Sequence, residues 1–203
     1  MKGLIVLIRR EEFEFMKSRY GQVGSWAVWD MPDTTPKSNT SGMEWLSAPN
    51  LLDSLDTGFV FVGLNWSSTH GDQTQGGTID WVNFHSSYSR QQDYKLRFAL
   101  TGTKYWGSYI TDFIKLYAEV DSSKVMQYLR QNPAVITENT ISFEEEIGHL
   151  HSNPVLVAMG GETYRLLQKN LGHKYQVTKI KHYSSYIGKE KYREEVLEVL
   201  DAI

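Results

Sequence analysis

Short apolar runs alternate with amphipathic stretches along the second half of the chain. Val155–Met159 is a continuous apolar run, and Glu162–Leu171 after it carries apolar residues at helical spacing and is closed by Gly172. The run Tyr175–Ile180 predicts a further strand, and Lys189–Ile203 has the spacing of an amphipathic helix. Strands joined through helices in this way predict right-handed crossovers and a parallel sheet.

The first half contains one strand signal of similar strength. Phe59–Leu64 is an apolar, β-branched and aromatic run that stops before Asn65, where polar residues follow. A continuous apolar run suits a strand that is buried on both faces of a parallel sheet. Ligands of open α/β sheets bind at the carboxyl ends of such strands. We therefore expect the strands ending near Leu64, Met159 and Ile180 to be parallel neighbours whose carboxyl ends converge.

Weaker signals complete the set of elements. Ser142 and Glu145 have capping-box spacing and predict a short helix that runs into His149, and the acidic run 144–146 predicts a solvated helical face. Together the elements predict a three-layer α/β/α sandwich with a central, mainly parallel sheet, built by a single domain over residues 1–203. The other segments predict helices over Arg9–Tyr20, over Arg90–Leu100 and from Asp121 to Pro133, a strand over Ser25–Trp29, a helical turn over Leu51–Leu55, an apolar segment over Tyr109–Leu116, and polar loops over 30–41 and 65–89.

Composition narrows the class of protein. The chain has 203 residues, of which 40% are hydrophobic and 22% are charged, as in soluble globular domains. It contains no cysteine, which excludes disulfides, thiolate catalysis and cysteine-ligated zinc. The apolar stretch Gly3–Ile8 is too short to span a membrane. We therefore expect a cytoplasmic protein without a membrane partner.

Motifs for cofactors and metals are weak in this chain. Gly160-Gly161 lacks the Lys-Ser/Thr of a phosphate-binding loop and the third glycine of a dinucleotide fingerprint. His149 and His151 stand two residues apart with no carboxylate pattern around them. We expect neither a cofactor nor a bound metal.

Charge is distributed unevenly, although the formal net charge is only −3. Between Lys169 and Arg193, seven basic residues stand against the single acid Glu190. Such an asymmetry can orient a protein against a polyanion. A solvated lysine-rich surface explains the same pattern, and the sequence leaves both interpretations open.

Four segments, taken in order, resemble the uracil-DNA glycosylase superfamily. Gly63-Leu64-Asn65 resembles the start of the Gly-x-Asn-Pro-Gly motif in its mismatch-specific and single-strand-selective branches. His182-Tyr183-Ser184 resembles the second active-site motif, usually His-Pro-Ser, and follows a strand as that motif does. Val155–Gly161 and Tyr109–Asp112 occupy the places of the superfamily's apolar strand and of its base-reading strand. The resemblance covers the chain from about Leu55 to its last residue.

The resemblance implies hydrolysis of the N-glycosidic bond of a base flipped out of DNA, with single-stranded or locally opened DNA as the partner. Asn65 would hold the attacking water, and His182 would stabilise negative charge on the departing base, as an oxyanion hole does. The other implied contacts are to the substrate, through Gly63, Leu64, Phe84 as an aromatic floor, Asp112 and Ser184, and to DNA phosphates, through Lys181 and Lys189.

The chain departs from the superfamily pattern at three positions. Trp66 and Tyr183 stand where the two motifs have proline, which fixes its own backbone angle, so both loops can take a different shape. Asp112 stands where an asparagine is expected. An ionised Asp112 would select a base edge rich in hydrogen-bond donors, whereas a protonated one would fit uracil-like edges again. An aspartate that only caps the following turn is equally compatible with the sequence.

Three functions therefore remain open. The leading one is a DNA-base glycosylase acting on a uracil-like or other damaged base. The second is a non-catalytic nucleic-acid or nucleotide-binding module on the same fold, because a fold does not establish an activity. The third is an enzyme that acts on a free nucleoside or a modified nucleotide. A catalyst needs Asn65 and His182 to point into one base-sized pocket.

Overall fold

The computed structural model describes residues 7–30, 42–66, 80–86, 91–115, 117, 119–150 and 153–203. Residues 31–41 of the predicted loop 30–41, most of the polar connection 65–89 and most of the stretch Gly3–Ile8 lie outside these residues. The helices and strands are, in order, α1 Arg10–Tyr20, β1 Gly24–Trp26, β2 Asp56–Asn65, α2 Tyr94–Leu100, β3 Ser108–Ile114, α3 Ser122–Gln131, α4 Pro133–Gly148, β4 Val155–Met159, α5 Gly161–Leu171, β5 Val177–Ile180 and α6 Lys189–Leu200.

Five strands form one sheet in the order β1-β3-β2-β4-β5. Strands β3, β2, β4 and β5 run parallel, whereas β1 pairs with β3 in antiparallel orientation. Phe61 pairs with Val157, and Met159 pairs with Ile180. The strands that end near Leu64, Met159 and Ile180 are thus parallel neighbours, which confirms that prediction.

Helices cover both faces of this sheet. Alternation along β2 directs Val60 and Val62 into one core and Phe61 into the other. The first core packs apolar side chains of α1, α3, α4 and α5 against the sheet, and the second packs those of α2 and α6. The result is a mainly parallel α/β fold in three layers. Among the described residues, no helix is both long and apolar enough to cross a membrane.

The predictions for the segment after Pro133 are wrong in two respects. Ser142 and Glu145 do not begin a helix; both lie inside α4, whose first turn contains Pro133, where the missing N–H costs no hydrogen bond. Glu146 is not part of a solvated face either, because it is fully buried beside Ile147. The capping-box spacing occurred by coincidence within a longer helix.

Candidate active site at the carboxyl edge of the sheet

β2 and β4 are parallel neighbours, but the chain leaves them towards opposite sides of the sheet. The connection after β2 leads to β3 on one side, and the connection after β4 leads to β5 on the other side. The carboxyl ends of such a strand pair leave a crevice in which α/β proteins bind ligands. Four segments end at this edge, namely the strand ends at Asn65, Ile114 and Met159 and the loop that begins at Lys181 after β5.

Gly63 lies beside Asp112 in the ladder between β2 and β3. A Cβ atom at Gly63 would lie 2.1 Å from Asp112 Oδ1 and 3.5 Å from Phe84 Cζ. Only glycine leaves room for the carboxyl group here, so three predicted substrate contacts meet at one point. The side chain of Leu64, the residue between Gly63 and Asn65, packs instead against the core on the opposite face of the sheet.

Asp112 is a buried carboxyl group with one open oxygen. The residue is 4% exposed, and its Oδ2 accepts a hydrogen bond from Asn83 Nδ2 at 3.2 Å. No described residue donates a hydrogen bond to Oδ1. Burial raises the pKa of Asp112 from 3.8 to about 6, against the opposing effects of the Asn83 hydrogen bond and the Lys115 charge. Asp112 lies inside β3, so it is not the cap of a following turn.

Phe84 holds its position with a strained backbone. Its φ is 64°, and that of Trp81 in the same segment is 68°, in the left-handed region that bulky residues rarely adopt. Asn83 stabilises this conformation, because its Oδ1 accepts a hydrogen bond from the Phe84 N–H at 3.1 Å. Its Nδ2 also donates to the Val23 carbonyl at 2.8 Å. Strain of this kind costs about 1–3 kcal/mol and tends to occur at functional sites.

Replacing Phe84 should separate ring stacking from backbone strain. Phe84→Ala loses the ring but keeps the left-handed backbone, whereas Phe84→Gly loses the ring and the strain together. We expect F84G to be more stable than F84A by about 0.5–1 kcal/mol, measured by thermal unfolding. Both variants should bind single-stranded DNA more weakly if the ring stacks on a base, an interaction of about 1–3 kcal/mol. Unchanged affinity in both variants would remove Phe84 from the binding surface.

His182 has one ring N–H without a partner among the described residues. Its Nδ1 accepts a hydrogen bond from the Ser184 backbone N–H at 3.2 Å and lies 2.7 Å from the Ser184 hydroxyl, which we therefore assign as a second donor. The proton of the neutral ring is therefore on Nε2, which has no acceptor among the described residues. Burial lowers the pKa of His182 to about 4, so the ring is neutral at pH 7. Ser184, predicted as a substrate contact, thus contacts the His182 ring through both its hydroxyl and its backbone N–H.

The loop after β5 is fixed against the rest of the domain. Lys95, which is 5% exposed, donates from Nζ to the Ser185 carbonyl at 3.0 Å, and the Tyr192 hydroxyl donates to the Lys181 carbonyl at 3.1 Å. Tyr183 packs on the same core as Phe84. Its pKa is raised well above 10.0 by burial and by the nearby carboxylates of Asp93 and Asp112. The Tyr183 hydroxyl thus lies within electrostatic range of Asp112. Through this interaction the His182 loop is coupled to the strand pair that contains Gly63 and Asp112.

The backbone conformation of the turn after β4 favours a glycine. Gly160 has φ +102°, a conformation that other residues rarely adopt, and a Cβ added to it would lie 3.7 Å from the His182 Cβ. The Gly160 N–H also donates to the Ile180 carbonyl at 2.9 Å. The turn after β4 and the loop after β5 are therefore in contact.

Asn65 is anchored by its amide nitrogen. Nδ2 donates to the backbone carbonyls of Glu119 at 2.7 Å, Tyr117 at 3.1 Å and Trp66 at 3.2 Å. No described residue donates to its Oδ1. Because the NH₂ group is committed to the chain after β3, Oδ1 is the atom left to accept a hydrogen bond from a water molecule. Strand alternation places Asn65 on the same face of β2 as Gly63.

The predicted basic surface is extensively paired. Lys181 lies at the carboxyl edge and pairs with Glu195 of α6 at 2.8 Å. Lys189, the first residue of α6, places its Nζ 4.3 Å from the centre of the Phe98 ring. Lys174 pairs with Glu144 at 2.7 Å, at the amino end of β5 and therefore at the opposite edge of the sheet. The basic residues from Lys169 to Arg193 are thus divided between the two edges.

Two residues of the site were not identified from the sequence as functional. Asn83 contacts Asp112 across 29 positions of the chain, and Lys95 reaches Ser185 across 90. Neither residue stands in a motif, and no local periodicity marks a contact over such distances. The one hint in the sequence was a lysine beside the apolar residues of α2. In the structure, burial lowers the pKa of this residue, Lys95.

The described residues contain no group of three or more histidine and acidic side chains that could hold a metal ion. The polar groups at the carboxyl edge are instead separate hydrogen-bonding positions, of which Asp112 lies beside Gly63 and Phe84. Comparison of the chain with models of known protein families and with curated proteins gave no match in either case.

Proposed function

We propose that this protein is a uracil-DNA glycosylase-like base glycosylase, which hydrolyses the N-glycosidic bond of a base flipped out of DNA. The observation that carries the proposal is the combination of groups at one sheet edge. Asp112 offers a buried open oxygen, His182 offers an N–H from a neutral ring, and Phe84 offers an aromatic ring held beside Gly63. An aromatic face with a few fixed polar groups is what recognition of a planar base requires.

Asn65 and His182 fit complementary roles in the reaction. As the C1′–N bond breaks, its electron pair leaves with the base, and the water oxygen bonds to C1′ of the sugar. Asn65 Oδ1 would accept a hydrogen bond from that water, which orients its lone pair towards the sugar. The His182 N–H would donate to a carbonyl oxygen of the departing base and stabilise its negative charge. One proton of the water is released, and the base takes up a proton to leave neutral.

His182 suits the role of a neutral hydrogen-bond donor, and it does not suit the role of a general acid. With its pKa near 4, the ring does not transfer its proton readily at pH 7, but it donates a hydrogen bond over the whole neutral range. The catalytic contribution would then be electrostatic rather than a proton transfer. Excision should accordingly show no titration of His182 near its ordinary pKa of 6.5.

The non-catalytic binding module is favoured by one specific observation. The Trp66 N–H donates to the Ile114 carbonyl at 3.2 Å and extends the pairing of β2 with β3 beyond Asn65. Proline, which stands at this position in the superfamily motif, has no N–H and could not make this bond. The first motif therefore leaves the strand differently here, and a base could be bound without a water placed for attack.

An abasic-site assay distinguishes the two functions. Single-stranded and mismatched oligonucleotides, each with one uracil or one other modified base, are incubated with the protein and then cleaved with alkali at abasic sites. The glycosylase proposal predicts strand cleavage for at least one base. Tight binding of single strands without any cleavage would establish the binding module, and the absence of both would exclude both.

Charge reversal at the two sheet edges tests the DNA contact. Lys181 and Lys174 form a matched pair, because each is about half exposed and each pairs with one glutamate at 2.8 and 2.7 Å. We expect K181E, alone or with K189E, to weaken binding to single-stranded DNA of any sequence and to reduce the salt dependence of the affinity. K174E should leave both unchanged, in filter-binding titrations over a series of salt concentrations. Equal losses in K181E and K174E would show that no particular edge faces DNA.

A further inference from the structure

We infer that the carboxyl edge selects bases that carry an exocyclic amino group, because Asp112 Oδ1 is an open acceptor held beside Gly63 and Phe84. The inference rests on the proposed function and names its substrate class. A cytosine-like edge presents an amino group, and a guanine-like edge presents an amino group together with a ring N–H. A uracil-like or hypoxanthine-like edge places a carbonyl oxygen where the amino group would be, or lacks that group.

Asn83 determines which oxygen of Asp112 meets the ligand. Its Nδ2 holds Oδ2 at 3.2 Å and is itself held by the Val23 carbonyl at 2.8 Å, so the carboxyl plane cannot rotate freely. Oδ1 is left over the Cα of Gly63, and the same Asn83 fixes the backbone of Phe84. A base stacked on the Phe84 ring would therefore meet a single open acceptor.

A single acceptor does not read an imide as an asparagine does. An amide offers a donor and an acceptor side by side, which matches the carbonyl and N–H of uracil. At Asp112 the second position is an oxygen already engaged by Asn83, so a carbonyl of the ligand would face a carboxylate with no donor available. A ligand amino group avoids this repulsion and donates a hydrogen bond to the open oxygen.

His182 supplies the complementary half of the recognition. Its Nε2–H is a donor and requires an acceptor on the ligand, such as the carbonyl oxygen that cytosine and guanine retain. Together the edge presents an acceptor at Asp112 and a donor at His182. Cytosine and guanine match this pair of groups, because each has an amino group for Asp112 and a carbonyl oxygen for His182.

The selection depends on the ionisation of Asp112, and the groups around it determine the relevant pH range. Lys115, at the end of β3, favours the charged form, as does the Asn83 hydrogen bond, whereas burial and Glu146 of α4 oppose it. The Tyr183 hydroxyl, on the loop after β5, interacts electrostatically with Asp112 and stays neutral, because its own pKa is raised. Asp112 is therefore charged at pH 8 and protonated at pH 5, where it can donate to a carbonyl instead.

The test uses thymine oligonucleotides with one variable central nucleotide: deoxycytidine or deoxyuridine, and deoxyguanosine or deoxyinosine. Base release and equilibrium affinity are measured at pH 8 and pH 5. We expect the wild type to prefer cytosine over uracil, and guanine over hypoxanthine, by roughly 5- to 150-fold at pH 8. The preference should shrink towards parity at pH 5. Asp112→Asn should reverse the cytosine-to-uracil preference at pH 8, and the exposed helix cap Asp121→Asn should change nothing.

The outcomes separate this inference from the proposed function. If bases are released at pH 8 with no preference, or with uracil and hypoxanthine preferred, the inference is overturned and the proposed function stands. If bases are bound with no such preference and none is released, the inference is overturned and the binding module replaces the proposed function. If none of the four oligonucleotides differs in affinity from one with an abasic centre, and none releases a base, the inference is overturned, and the wider panel of the abasic-site assay decides the proposed function. The pH comparison needs only the wild type, so it decides the question even if Asp112→Asn fails to fold.

Discussion

Alanine at Asn65 or at His182 is expected to lower the rate of base excision by about 100- to 1000-fold. Each residue contributes one preorganised hydrogen-bonding group, and removal of such a group typically costs about 3–4 kcal/mol in the transition state. For His182 the group is the Nε2–H, whose tautomer is set by two bonds from Ser184. For Asn65 it is Oδ1, oriented because Nδ2 is bound to three backbone carbonyls.

Single-turnover kinetics with saturating enzyme would measure this loss free of product release. Matched controls are available at the other end of the domain, where His173 is exposed and Asn170 Nδ2 bonds to the Leu166 carbonyl of α5. His173→Ala and Asn170→Ala should excise bases at the wild-type rate. His182→Gln carries an N–H near the position of Nε2 and should retain more activity than His182→Ala.

The two alanine variants should differ in stability. His182→Ala removes the hydrogen bonds between the ring and Ser184, which water can replace in this loop. The variant should therefore keep the wild-type melting temperature within a few degrees. Asn65→Ala leaves three carbonyls without their donor and should cost about 1–3 kcal/mol. A normal excision rate in either well-folded variant would remove that residue from the mechanism.

The fold was predictable where long-range packing and local pattern agree. Val155–Met159 and Phe59–Leu64 are strands covered on both faces, so a continuous apolar run identified them. The pattern failed in α4, where the Ser142–Glu145 spacing imitates a cap within a helix that extends to Gly148. A local signal cannot report that Phe143 and Ile147 continue the buried face of the same helix.

The sequence located parts of the site, but it did not reveal how they interact. Gly63 and Asp112 were identified from resemblance, and the pairing of β2 with β3 brings them together. Asn83 was not identified, because its role depends on a left-handed backbone at Phe84 and on contacts with residues far away in the chain. The charge on Asp112 was undecidable for the same reason, since its pKa depends on burial and on Lys115 and Glu146.

Removal of Lys115 is expected to destabilise the domain by about 3–5 kcal/mol, because it leaves a buried carboxylate unpaired. Lys115 Nζ lies 2.5 Å from Glu146 Oε2, and the two side chains are 10% and 0% exposed. The Tyr109 hydroxyl donates to the other oxygen of Glu146 at 2.8 Å. Lys115→Met should therefore lower the melting temperature by roughly 6–20 °C, measured by calorimetry near pH 7.

An exposed ion pair provides the control for this loss. Lys191 and Glu194 of α6 lie 2.9 Å apart with side chains 57% and 66% exposed. Lys191→Met should change stability by no more than about 0.5 kcal/mol, since solvent screens such pairs. Replacement of the whole buried network, as Lys115→Met with Glu146→Leu and Tyr109→Phe, should recover most of the stability, because the buried carboxylate is removed together with both of its partners. Equal effects of K115M and K191M would contradict the burial of the pair.

The same substitution should also shift the pH dependence of base selection. Lys115 favours the charged form of Asp112, both by its charge and through its position at the end of β3, where Nζ donates to the Asp112 carbonyl at 2.7 Å. Without this cation, and with Glu146 still present, the pKa of Asp112 should rise above its value of about 6. The preference for amino-bearing bases should then disappear at a higher pH in Lys115→Met than in the wild type, as measured with the four thymine oligonucleotides between pH 5 and pH 9. An unchanged midpoint in a folded variant would mean that the titration governing selection belongs to another group than Asp112.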